Sequence, residues 1–190
     1  MAKVTVTPET FEFVNFSAPD IQEVAEEVAN KVGLADDVVV NIEIDEAVMA
    51  AQSKATLEGG TIHVEVTGGA FESLRKAREF APERGRAVLG QALMRAGDRL
   101  DPAFGDAPPD DEVSVRMEAA WSTYIEGRLH RKGILEGRPQ RRIYHFRVRH
   151  GFNDTVDAVF DRLWNADGLS WADLEAASAE AAGESAPANA

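Results

Sequence analysis

Residues 38–66 read VVVNIEIDEAVMAAQSKATLEGGTIHVEV. Residues 38–44 begin as a continuous apolar run and finish in alternation, as a strand with a buried face does. Residues 55–57, the pair Gly59-Gly60 and residues 61–66 then spell a hairpin, because a two-residue turn needs positive φ. In its second arm Ile62, Val64 and Val66 alternate with His63 and Glu65, so that arm is expected to be a half-buried or edge strand. Upstream, residues 4–6 and 11–14 are predicted as short extended pieces separated by Pro8, a breaker. Strands therefore crowd the first third of the chain. The predicted class is α+β: a small mixed sheet near the N-terminus, then a mainly helical C-terminal half.

The helical pattern is read from spacing. Ile21, Val24, Val28 and Val32 recur every three or four residues after Pro19-Asp20, and Gly33 is a fitting C-cap. A short helix is predicted over residues 70–80. A longer one follows over 82–100, with Leu89, Leu93, Ala96 and Leu100 on one stripe and Asp101-Pro102 at its end. After a polar loop, Met117, Trp121, Tyr124, Ile125 and Leu129 mark another helix running to Gly133. Residues 141–149 alternate basic and apolar side chains and are predicted as a strand. Residues from 153–155 open a helix carrying Val156, Val159, Phe160 and Leu163, and Ser170 caps a last one. Trp121, Trp164 and Trp171 fall on apolar stripes and are expected in the core. One domain over residues 1–182 is expected, with 183–190 too polar to bury and hence disordered.

Composition narrows the class of function. The chain has 190 residues, 44% of them hydrophobic, and no cysteine. Disulfides, thiolate metal sites and a cysteine nucleophile are thereby excluded. No apolar run approaches the roughly 20 residues that span a bilayer. The N-terminal residues alternate and carry acids, unlike a signal peptide, so a cytoplasmic protein is the expectation. The formal net charge of −13 argues against broad adhesion to nucleic acid or membrane. Charge is nonetheless uneven. Residues 1–50 hold two basic residues against eleven acids, whereas residues 128–149 hold eight basic residues and the single acid Glu136.

Residues 88–105 read VLGQALMRAGDRLDPAFG, and residues 121–133 read WSTYIEGRLHRKG. Asp98, Leu100, Asp101, Pro102, Ala103, Phe104 and Gly105 resemble the D-x-L-D-P-A-F-G stretch of zincin-like domains, which follows an H-E-x-x-H helix. The second segment is similar to the group's downstream W-x-x-Y-I-D-G-R-L helix, and residues 61–64 to the strand before the active helix. The likeness covers about residues 38–133. It implies a zincin-like architecture, with an edge strand that pairs an extended peptide. By that likeness Ile62, His63, Val64 and Glu65 are the candidate peptide-binding strand.

The metal motif itself is missing. A zinc-binding helix needs two histidines at i and i+4 and a glutamate as general base. The corresponding positions here are Gln91, Ala92 and Arg95. Gln91 is a neutral amide, Ala92 cannot take a proton, and Arg95 brings a permanent cation to the metal's place. The resemblance puts the third ligand position at Glu126 and suggests that Arg95 and Glu126 pair in place of the metal. The implied protein is a degenerate metallopeptidase homologue with no catalytic residue, no metal and no cofactor.

Other constellations read more plainly. His63, His130, His145 and His150 lack ligand spacing and are expected at surfaces or caps. His130, one turn past Glu126, leaves open an enzyme with a site rebuilt around Arg95, Glu126 and His130. Gly68-Gly69 reads as a strand-to-helix turn rather than an anion nest. Asp110-Asp111-Glu112 suits the start of a helix. Arg128, Arg131, Lys132, Arg138, Arg141, Arg142, Arg147 and Arg149, with Tyr144 and Phe146 among them, could bind an anion such as a nucleic-acid strand. The plainer account is that they offset acidic segments of the same fold. The leading expectation is a non-catalytic protein that binds a peptide or protein partner, with a nucleic-acid-associated factor as the alternative.

Overall fold

Alternation along residues 38–66 decides which face of the sheet is dry. In the computed structural model, which describes residues 2–136 and 139–183, Val40, Ile42 and Ile44 stand in register beside Ile62, Val64 and Val66. All six are at most 4% exposed, so the two strands share one buried face. They are β2 (Val39–Asp45) and β4 (Thr61–Thr67), and they run parallel. With β1 (Lys3–Thr7) and β3 (Ser53–Glu58) they form a four-stranded sheet of order β1-β2-β4-β3. β1 is parallel to β2, while β3 pairs antiparallel to β4, so the sheet is mixed. Gly59 and Gly60, with φ of 55° and 84°, make the two-residue turn of the β3–β4 hairpin.

Two helices cover the apolar face. α1 (Ala18–Val32) begins where the Ser17 hydroxyl accepts the Asp20 N–H and ends at Gly33, in the left-handed region at φ 91°. After the single turn of α2 (Gly68–Phe71), α3 (Pro82–Leu100) packs on α1 and against β3, burying Leu89, Leu93 and Ala96. Phe16, Phe71 and Phe80 meet edge to face beside them.

In this part of the chain two expected elements differ. The helix predicted over 70–80 stops at Phe71. The Ser73 hydroxyl takes the N–H groups of Arg75 and Lys76, and Arg78 sits at φ 62°, so the backbone turns instead of continuing. Residues 11–14 form no strand. The N–H groups of Glu12 and Phe13 donate to the Glu46 carboxylate, which replaces the ladder a strand would need.

The chain divides into two compact units, the first ending at Leu100 and the second beginning at Asp101. The second is helical: α4 (Val115–Arg131), α5 (Gln140–His150), α6 (Asp154–Asn165) and α7 (Trp171–Ala181). Side chains cap three of their N-termini, Ser114 for α4, Asn153 for α6 and a Ser170–Asp173 capping box for α7. Phe104, Trp121 and Trp171 cluster with ring centroids 5.3–6.3 Å apart. Gly127 lets α4 approach α6, since a Cβ there would lie 2.0 Å from the Trp164 carbonyl oxygen. The strand expected over 141–149 is the helix α5. Ile143, Phe146 and His150 recur at helical spacing, Phe146 and His150 are buried, and Val148 is 50% exposed, which a half-buried strand would not permit. The tail expected over 183–190 lies outside the described residues apart from Gly183.

Candidate functional site

In the first unit, α3 carries the three residues that the sequence resemblance aligns with a zinc-binding motif. Gln91 is exposed, Ala92 is buried and Arg95 is half-buried. Among the described residues, no group of three or more His, Asp or Glu is arranged to hold a metal ion.

The sheet order corrects the candidate peptide strand. Ile62, His63, Val64 and Glu65 lie on β4, which pairs with β2 on one side and β3 on the other. Its backbone groups are therefore taken. The edges of the sheet are β1 and β3. A hairpin reads alike from sequence whichever arm is outside, and only the β2–β4 pairing decides it. Both Ile62 and Val64 point into the core, whereas His63 sits on the open face between Asn41 and Thr56. β3 carries Lys54, Thr56 and Glu58 on that same face. Where β3 begins, an open groove of about 760 Å³ is lined by Glu43, Asp45 and Glu65 with Lys54. The groove bears a net negative charge and lies beside the free edge.

A smaller recess of about 180 Å³ opens between Phe13, Glu46, Met49, Gly69, Glu72 and Arg78. The Arg78 guanidinium donates to the Phe13 carbonyl at 3.0 Å. A Cβ on Gly69 would fall 1.9 Å from the Met49 carbonyl oxygen, so only glycine lets these two backbones meet. The strand-to-helix turn read at Gly68-Gly69 is therefore a packing requirement.

In the second unit four of the cations are engaged within the fold. Arg142 binds Glu126, both side chains being about four-fifths buried. Arg147 holds Asp157 through two contacts of 2.7 and 2.5 Å, and that bond keeps the Asp157 carboxyl below the usual aspartate range. Arg131 donates to the Trp164 and Ala166 carbonyls and pairs with Asp167 at 3.0 Å. The Arg128 guanidinium lies 3.8 Å above the Tyr124 ring. Lys132, Arg141 and Arg149 are exposed, and Arg138 lies outside the described residues.

Of the histidines, His130 packs against Trp164 and His145 lies exposed beside Tyr144. Glu126 is half-buried in the same helix as His130. His150 is not at a surface: it is 8% exposed and its ring bridges α5 to Ser178 of α7. Reading 141–149 as a helix would have placed it one turn beyond Phe146, on the buried side. Among the described residues no helix is long and apolar enough to cross a membrane.

Compared with protein-family models, curated proteins and solved structures, the chain matches none.

Proposed function

We propose that this chain is a non-catalytic, zincin-like protein that binds an extended segment of a peptide or protein partner along the free edge of its sheet. The observation that carries the reading is β3, an edge strand running beside α3, the helix whose ligand positions hold Gln91, Ala92 and Arg95. An unpaired edge offers a row of N–H and C=O groups, and a peptide can complete the ladder by strand addition. The resemblance at residues 88–105 and 121–133 supports the zincin-like part, and the missing H-E-x-x-H supports loss of hydrolysis, since no side chain at 91, 92 or 95 activates a water. Glu43, Asp45 and Glu65 in the adjoining groove favour segments bearing Lys or Arg.

A random-peptide display against the full chain tests the reading. Selected peptides should slow hydrogen exchange at the β3 amides and lose affinity in salt. Protection confined to other elements, or no selection at all, would refute it.

A further inference from the structure

α5 leaves an unusual outer face. Tyr144, Val148 and Phe152 are 59%, 50% and 67% exposed, and the Tyr144 and Phe152 rings meet edge to face at 6.2 Å. Tyr144 and Val148 stand one turn apart on the helix, and Phe152 continues the row just past its end. Arg141 and Arg149 flank this ridge and are exposed. The first unit carries the opposite shape. Its recess has Phe13 and Met49 on the rim, 56% and 69% exposed, and the carboxylates of Glu46 and Glu72 in its wall. Its volume of about 180 Å³ suits one aromatic ring, since about 150 Å³ holds a benzene. Gly69 against Met49 and the Glu46 bonds to Glu12 and Phe13 hold the recess open without a ligand.

We propose that the chain associates head to tail, the Tyr144–Phe152 ridge of one copy seating in the Phe13–Met49 recess of a second copy. Protruding aromatics ringed by arginine are the composition of interface anchors, and each surface supplies what the other lacks in shape and in sign of charge. Arg78 is the one cation in the recess wall, and its guanidinium is directed to the Phe13 carbonyl. A nucleic acid fits this face less well. Arg128, Arg131, Arg142 and Arg147 are engaged within the unit, and a net charge of −13 repels a polyanion. Ridge and recess are different surfaces, so each contact joins unlike patches of the two copies.

Sedimentation of the full chain at up to about 1 mM, the weak limit of specific association, reads this directly. Mass should rise above the monomer with concentration and fall in high salt. Phe152→Ser and Met49→Lys should each weaken association by about thirtyfold or more. An equimolar mixture of the two variants should then stop at a 1:1 dimer, because each variant retains the surface the other has lost. That recovery also shows that both variants fold. A monomeric wild type, association indifferent to both substitutions, or a mixture that stays monomeric would overturn the proposal. So would a single-stranded oligonucleotide whose binding depends on Phe152 in a chain that does not self-associate.

Discussion

Nε2 of His150 lies 2.9 Å from the Ser178 hydroxyl, while Nδ1 lies 3.1 Å from the Phe146 carbonyl oxygen. A carbonyl only accepts, so Nδ1 carries the proton, and in the neutral ring Nε2 accepts from the serine. Both residues are buried, and this one ring ties α5 to α7. Ser178→Ala leaves Nε2 buried without a partner. We expect a loss of about 1–3 kcal/mol in denaturant unfolding, with the slope unchanged.

The same contact sets a pH dependence. Burial pushes the His150 pKa below the usual histidine range; the Arg116 charge acts in the same direction, and the Phe146 carbonyl opposes it. The unfolded chain takes up a proton near pH 6.5 that the folded chain refuses. Stability is therefore full above about pH 6.5 and falls as the pH drops below it, until the folded ring also protonates. Asp157, Asp173 and Glu180 are held below the ordinary carboxylate range by their hydrogen bonds, so their losses come at lower pH. Melting curves between pH 7.5 and 5 should show a decline that His150→Gln flattens. An equal decline in that variant would place its origin elsewhere.

Two glycines should resist even a methyl group. Gly127→Ala drives a Cβ into the Trp164 carbonyl, and Gly69→Ala drives one into that of Met49. Both obstacles are backbone, which cannot swing aside as a side chain would. Each substitution should cost about 1–3 kcal/mol or more in chemical denaturation. Gly133→Ala makes a useful comparison: nothing lies within 4 Å of its Cβ, and its φ of 66° alone penalises the change.

Elemental analysis after removal of any tag should find far less than one zinc, copper or nickel per chain, because α3 carries no pair of imidazoles one turn apart. Peptidase assays should give no turnover above buffer. Near-stoichiometric metal would reverse the non-catalytic reading.

What the sequence discloses depends on how local the deciding physics is. The β3–β4 hairpin was legible because Gly59-Gly60 and the alternation of Ile62, Val64 and Val66 lie within a dozen residues. The strand order was not, since the pairing of Val40 with Ile62 joins residues 22 positions apart that no local pattern relates. That hidden step moved the free edge from β4 to β3 and with it the candidate peptide strand. α1, α3 and α4 showed in their apolar spacing. α5 did not, because its outer face carries Tyr144 and Val148 and its buried face a histidine, which blurs the period of 3.6. The 128–149 cations were visible as a block, but Asp157 and Glu126, their counterions, are known only once α5 is a helix.

Glu126 and Arg142 give the last test. Glu126 occupies the position that the zincin likeness assigns to a ligand, and its carboxylate is bound by Arg142 of α5. The two side chains are 15% and 21% exposed, so the pair lies between a solvated surface bridge and a fully buried one. Removing either partner should therefore cost about 1–3 kcal/mol, above the exposed limit and below the buried one. Arg142→Ala removes the guanidinium from the carboxylate and should be the more harmful; Glu126→Gln keeps an acceptor for the guanidinium and should be milder. The double variant should recover part of the sum, and that shortfall is the coupling energy. Salt up to about 1 M should diminish the coupling only slightly, because partly buried charges are screened far less than exposed ones. Strictly additive losses would mean that the bond contributes nothing beyond the packing of its two stems.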